Sequence, residues 1–207
     1  MAEKDLATLY RELAPRAPEG RFALPALVPG EGPLELDIGF GRGLSLFERA
    51  RVSPQSRVIG IEIKTKWAYK VQQRALREAL SQLCVLCGDA REILHRADPE
   101  ACLDRASVHF PDPWWKKRHS KRRVVQEGLL EDLGRLLRPG GELLIQTDVQ
   151  HRAEEYLEQV RASEGFPLAT ESGLVDGNPF FAHSNRERRA IEDGLPVWRI
   201  LALRAAR

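Results

Sequence analysis

Cysteine, methionine and tyrosine are scarce in this 207-residue chain, which has three Cys, one Met and three Tyr. So low and odd a cysteine count excludes a disulfide-stapled scaffold and fits reduced thiols in a cytosolic protein. Cys84-x-x-Cys87 has a spacing used for metal or redox chemistry. It lies inside the apolar run Leu83-Cys84-Val85-Leu86-Cys87, and no second pair supplies further zinc ligands, so it reads as a buried strand with no metal. No apolar run approaches the roughly 20 residues of a membrane span. The charged N-terminus lacks the apolar centre of a signal peptide, so a cytoplasmic location is expected. Excess charge is lacking too: the net value is +2, and any case for nucleic acid must rest on local clusters.

What is present is an ordinary globular composition, 43% hydrophobic and 30% charged, at a length that suits one compact domain. Residues 1–33 read as an N-terminal arm, a short helical pattern (Leu6, Leu9, Tyr10, Leu13) followed by prolines. Residues 34–207 read as a single domain. Short apolar runs recur near 34–38, 57–63, 82–87, 105–110 and 142–147, with amphipathic segments near 44–50, 65–80, 90–97, 121–137 and 150–163. That alternation predicts an α/β fold, a doubly wound parallel sheet with helices on both faces. In the helix near 121–137, Val125, Leu129, Leu133, Leu136 and Leu137 form the apolar face, and Arg138-Pro139-Gly140-Gly141 ends it. Residues 164–195 read as a long loop with another short strand, and 196–205 as a final strand.

Leu34-Glu35-Leu36-Asp37-Ile38-Gly39-Phe40-Gly41-Arg42-Gly43 is a strand running into a glycine-rich turn. Such a turn lies at the carboxyl edge of a doubly wound sheet, where ligands bind. The dinucleotide pattern Gly-x-Gly-x-x-Gly fails, because Leu44 holds its last position. Asp37, two residues before Gly39, separates two cofactor classes. A carboxylate suits the cationic ammonium and sulfonium of S-adenosyl-L-methionine and repels a pyrophosphate. Glu62 ends the next strand, about twenty residues on, in a suitable place for ribose hydroxyls. Asp89, in Gly88-Asp89-Ala90, is placed for an adenine amino group. Asp37, Gly39, Gly41, Gly43, Glu62 and Asp89 are therefore the candidate cofactor residues.

The second informative stretch runs from His109 to Arg123. Asp112 stands between Pro111 and Pro113, which stiffen the backbone around it. Trp114 and Trp115 follow, each a flat surface that could stack on a base or pack in a core. Six cations then fall within eight residues: Lys116, Lys117, Arg118, Lys121, Arg122 and Arg123. The last three sit near the start of the expected helix, where the macrodipole disfavours cations, so phosphate contact explains them better than stability does. His109 reads as structural.

These residues together resemble the bacterial tRNA (guanine-N7-)-methyltransferase family over about Leu34 to Leu201. The likeness rests on Phe110-Pro111-Asp112-Pro113-Trp114-x-Lys116-Lys117-Arg118-His119-x-Lys121-Arg122-Arg123, and on Ser184-Asn185-Arg186-Glu187-Arg188-Arg189 with Gly194 and Val197-Trp198 after it. It implies a Rossmann-like class I methyltransferase fold, with a mostly parallel seven-stranded sheet and an antiparallel last strand. It implies S-adenosyl-L-methionine as cofactor, contacted at Asp37, Glu62, Asp89 and Asp112, with Asp112 also the catalytic position. It implies tRNA as partner, contacted at Lys116, Asp148 and Ser184 to Glu187, with Arg189 extending the basic surface. A monomer or homodimer is expected. Asp37 stands where the family usually has Glu, Ser184 replaces Thr, and Arg186 replaces an aromatic residue.

The implied reaction joins guanine N7 to a methyl group. N7 has a free lone pair and no proton, so no general base is needed. Alignment and electrostatics would supply the catalysis, with Asp112 accepting from the guanine edge and Asp148 sharing that role. Two alternatives stay open: methylation of another RNA or of a protein, and a catalytically inactive RNA-binding relative.

Overall fold

The computed structural model describes residues 3–111 and 124–206. Asp112, Trp114, Trp115, Lys116, Lys117, Arg118, Lys121, Arg122 and Arg123 therefore lie outside the described residues, and the expectations placed on them stay sequence-based.

In chain order the elements are α1 (Glu3–Leu13), β1 (Phe22–Ala23), α2 (Leu24–Leu27), β2 (Leu34–Ile38), α3 (Leu44–Val52), β3 (Arg57–Glu62), α4 (Thr65–Arg77), β4 (Leu83–Cys87), α5 (Ala90–His95), β5 (Ala97–Asp98), β6 (Leu103–His109), α6 (Glu127–Leu136), β7 (Leu137–Thr147), α7 (Gln150–Ala162), α8 (Asn185–Glu192) and β8 (Trp198–Leu203). The main sheet has the order β4-β3-β2-β6-β7-β8. Its pairings are parallel except β7 with β8, which is antiparallel. The chain enters at β2, runs to the β4 edge, then returns to lay β6 on the other side of β2. Strand order reverses between β2 and β6, and the crevice beyond their carboxyl ends is where such sheets bind ligands.

The sheet has six strands among the described residues, where seven were expected. The seventh position, outside β8, is taken by irregular chain. Leu168 and Leu174 make isolated antiparallel bridges to Ala202 and Ile200, and the nitrogens of Ala169 and Val175 donate to Leu201 and Arg199 carbonyls. Gly173, at φ +79°, lies within this run, a backbone that a regular strand does not use. The chain thus pairs with β8 without forming a continuous ladder.

The two faces of the sheet differ. Alternation on β2 sends Leu34, Leu36 and Ile38 into the larger core, with Ile59, Ile61, Val108, Leu143, Ile145 and apolar side chains of α5, α6 and α7. The opposite face packs Val58 and Val85 against Leu46, Phe47, Ala68, Val71 and Ala75 of α3 and α4. That face also carries the polar side chains of β2, β6 and β7: Glu35, Asp37, Ser107, His109 and Gln146 are all buried. Cys84 joins one core and Cys87 the other, so the two thiols point to opposite faces of β4 and cannot share a metal. Burial pushes the Cys84 thiol up to about 11. No cluster of metal-binding side chains occurs among the described residues. No helix there is long and apolar enough to cross a membrane.

One expectation needs correction. The helix expected near 121–137 begins at Glu127, after a Gln126 N-cap. Its first turn carries an acid, as the macrodipole favours. Lys121, Arg122 and Arg123 precede it by four or more residues, so the macrodipole argument for phosphate contact falls away. Residues of the N-terminal arm pack against the rest of the chain. Tyr10 meets Tyr69 with ring centroids 5.5 Å apart, Cys87 N donates to Pro15 O at 2.6 Å, and Leu24 and Val28 are fully part of the larger core.

Candidate active site

The site forms where the carboxyl ends of β2, β3 and β6 meet. Gly39, Gly41 and Gly43 all hold positive φ, +79°, +57° and +81°, which explains three glycines in five residues. They serve different ends. A Cβ at Gly43 would lie 2.7 Å from Val71 Cγ2, whereas a Cβ at Gly41 would meet nothing closer than 4.0 Å among the described residues. Gly43 lets the turn press onto α4. Gly41 leaves its surroundings open to a ligand.

Glu62 ties this turn to β3. Its Oε2 accepts from Gly41 N and its Oε1 from Lys64 N, both at 2.9 Å. Each oxygen keeps a second lone pair, which suits a diol. Asp89 caps α5, accepting from Arg91 N, and pairs with the Arg91 guanidinium at 3.0 and 2.6 Å. That guanidinium holds the Asp89 carboxyl below the usual carboxylate range. It also leaves Asp89 less capacity for an adenine amino group than the sequence reading assumed.

Asp37 is the exception among these carboxylates. It is 5% exposed, and Ser45 Oγ donates to its Oδ2 at 2.5 Å. His109 Nε2 lies 3.6 Å from the same oxygen. Its Oδ1 is buried and has no hydrogen-bond partner among the described residues. Burial pushes the Asp37 carboxyl up, with His109 and Ser45 acting against it. A buried, unpartnered carboxylate oxygen is costly, and a cationic ligand group would relieve that cost.

Beyond β6, Phe110 takes φ +46°, sparsely populated for a residue with a side chain. Its nitrogen donates to Gln146 O at 2.8 Å. Tyr156 Oη donates to Pro111 O at 3.1 Å. The backbone is thus fixed on both sides up to the residue before Asp112.

The α8 residues are placed differently from one another. Ser184 is the N-cap of α8, its Oγ accepting from Glu187 N. Glu187 is fully buried and accepts from Gln146, Asn178 and Arg199. With no exposed surface to offer an RNA, the Glu187 side chain holds the site from within. Arg189 is exposed and lies 3.5 Å from Asp193. Arg186 donates to Asp148, so the cation that stands where the family has an aromatic residue is the partner of the second proposed guanine contact. The sequence reading missed His109, Gln146 and Arg199 as one connected group, and also Trp67. Arg42, Lys66 and Lys70 lie 5.3, 5.4 and 5.9 Å from the Trp67 ring. The signal for that cluster was Lys64-Thr65-Lys66-Trp67, two residues after Glu62.

A family model described as "Putative methyltransferase" matches residues 31–200. A tRNA (guanine-N(7)-)-methyltransferase of Myxococcus xanthus is 39% identical over 176 residues, covering 84% of this chain and 85% of that one. One from Nitrosococcus oceani is 36% identical over 179 residues, covering 86% and 75%. The chain belongs to the tRNA (guanine-N(7)-)-methyltransferase family. Solved structures agree on the fold. The 16S rRNA methyltransferase KamB superposes with a TM-score of 0.61 at 18% identity, covering 87% of this chain and 92% of that one. A SAM-dependent O-methyltransferase of Thermotoga maritima gives 0.57 at 16%, covering 100% and 67%. The methyltransferase family thus accounts for the switch-point crevice, the glycine turn and the acidic residues that end β2 and β3.

Proposed function

We propose that this chain transfers a methyl group from S-adenosyl-L-methionine to N7 of a guanine in tRNA, with residue 46 of the variable loop as the expected target. The observation that carries this reading is the lone Asp37 Oδ1, buried beside three left-handed glycines. Bound there, S-adenosyl-L-methionine supplies a methyl group on a cationic sulfur. Asp37 accepts from its ammonium, Glu62 from its ribose, and Asp89 from its adenine edge with the one lone pair that Arg91 leaves. Open space at Gly41 admits the ligand against the backbone.

Asp112 follows the fixed Phe110-Pro111 backbone and takes the guanine edge. N7 needs no proton removed, so Asp112 stabilises the charge that guanine gains as the bond forms. Lys116, Lys117, Arg118, Lys121, Arg122 and Arg123 hold phosphates, which makes binding dependent on salt. Asp148, released by Arg186, shares the guanine contact, while Arg186 and Arg189 turn to the RNA. The arm of residues 1–33 braces the sheet edge of one methyltransferase domain, 34–207, working as a monomer or homodimer in the cytoplasm, where tRNA is met.

The test incubates the protein with methyl-labelled S-adenosyl-L-methionine and tRNA transcripts, and maps N7-methylguanosine. Incorporation should need a guanine at residue 46. No incorporation into transcripts that carry it would overturn the reading.

A further inference from the structure

The cofactor turn and α8 are joined by a line of buried polar side chains. Sheet pairing creates it: His109 is in register with Gln146, and Gln146 with Arg199. All three lie on one rung and one face. Asp37 is next to this rung on β2, and Glu187 descends onto it from α8.

The hydrogens along the line follow from one end. Glu187 Oε1 accepts from Arg199 Nε at 3.0 Å and Nη2 at 2.8 Å, and Oε2 accepts from Asn178 Nδ2 at 3.1 Å. A carboxylate so paired only accepts. Gln146 must then present its amide nitrogen, which donates to Oε1 at 2.9 Å. Its carbonyl oxygen is left facing His109 Nδ1 at 2.7 Å, so Nδ1 carries a hydrogen. The other ring nitrogen, Nε2, faces Asp37 Oδ2 at 3.6 Å. That is too long for a direct hydrogen bond, but a bare nitrogen lone pair facing a buried carboxylate oxygen is unfavourable, and a hydrogen on Nε2 removes the conflict.

We infer that His109 is a positioning residue: aimed by Gln146 and Glu187, its imidazolium keeps Asp37 anionic, with Oδ1 presented to the ammonium of the methyl donor. The inference rests on the proposed role of Asp37 at the methionine end of S-adenosyl-L-methionine. Among the described residues the other polar group on the Asp37 carboxylate is Ser45, from α3. Ser45 donates one hydrogen bond and carries no charge, so it cannot replace His109. Without the imidazolium, burial favours the neutral acid, which attracts no ammonium.

The test is calorimetric binding of S-adenosyl-L-methionine and of methylthioadenosine, which lacks the amino-acid end. In His109→Asn the Kd for S-adenosyl-L-methionine should rise about tenfold, as for one lost charged hydrogen-bond partner, while that for methylthioadenosine stays unchanged. Gln146→Leu keeps the ring but frees its orientation, and should move the two ligands in the same pattern by a smaller factor. Asp37→Asn/His109→Asn should bind no worse than Asp37→Asn alone, because the two act as a unit. Equal loss for both ligands, or no loss for either, would overturn the inference. Wild-type methylation of tRNA is measured alongside, so a failed inference with a working enzyme is separate from a failed functional reading.

Discussion

Glu35 and Asp37 stand two residues apart on β2, point to the same face and are 4% and 5% exposed. Arg49 clasps Glu35 through Nε at 2.6 Å and Nη2 at 2.7 Å, and Ser56 Oγ adds a bond at 2.8 Å. Asp37 has Ser45 and the nearby His109 on one oxygen and, among the described residues, nothing on the other. Glu187, with four donors from Gln146, Asn178 and Arg199, resembles Glu35. Burial alone therefore does not mark a ligand site. A saturated carboxylate belongs to the fold, where breaking the pair is more damaging than the pair is stabilising. A buried carboxylate with an empty lone pair is a standing cost, which a bound cation removes.

The largest expected effect tests the saturated side. Glu35→Gln leaves the Arg49 guanidinium buried without its anion, and should lower unfolding free energy by about 3–5 kcal/mol. Denaturant unfolding measures it, and S-adenosyl-L-methionine affinity of the folded protein should not change. Asp37→Asn should show the reverse: a far smaller change in stability, and affinity lower by about 100-fold, or roughly 2.7 kcal/mol. Comparable loss of stability in both variants would break the comparison.

The pH dependence sharpens it. Asp37 has its carboxyl raised above 3.8 by burial in the folded chain, so the folded state holds that proton more tightly than the unfolded one. Stability of the ligand-free protein should fall as pH climbs from 3.8 through the raised value, and Asp37→Asn should lack that fall. Asp89 has its carboxyl lowered by Arg91. Its contribution is present above 3.8 and is lost as pH falls through the lowered value. Thermal unfolding of wild type, Asp37→Asn and Asp89→Asn against pH separates the two.

The glycine turn repeats the contrast on a smaller scale. Gly43→Ala combines φ +81° with a Cβ 2.7 Å from Val71, and should cost about 2–3 kcal/mol of stability. Gly41→Ala has only the φ to pay for, about 1 kcal/mol, but fills open space and should weaken cofactor binding. Equal loss of affinity in both variants would remove the distinction between a packing glycine and a ligand-facing one.

Features that depend on near neighbours were legible in the sequence. The alternation of strands and helices, the turn after Ile38 and the acids at Glu62 and Asp89 follow from local period and spacing. Features that depend on register were not. His109, Gln146 and Arg199 span ninety residues and become neighbours only when β6, β7 and β8 pair. Arg186 meeting Asp148 needs α8 to cross the end of β7. The start of α6 was misread because Val125, fully buried, continues the apolar period of the helix although it precedes the first helical residue. The motif points to Glu187 as an RNA contact, and its burial by partners from β7, β8 and the loop at Asn178 could not be seen there.

The smallest expected effect concerns α8. Ser184-Asn185-Arg186-Glu187 has the form of a capping box, in which Ser caps the N3 nitrogen and Glu reaches back to the cap. Only the first half forms. Ser184 Oγ accepts from Glu187 N at 3.1 Å, while the Glu187 carboxylate turns inward to Gln146 and Arg199. Ser184→Ala should therefore cost one cap, about 1 kcal/mol, or roughly 2–4 °C in Tm for a chain of this size. The buried carboxylate keeps its other donors, so S-adenosyl-L-methionine affinity should hold. Ser184 is 4% exposed, and tRNA can reach it only by loosening the first turn of α8. A large rise in KM for tRNA with an unchanged Tm would show that this turn opens. Ser184 would then stand with Asp37 on the ligand-facing side of the comparison, one residue group away from the saturated interior that Glu187 shares with Glu35.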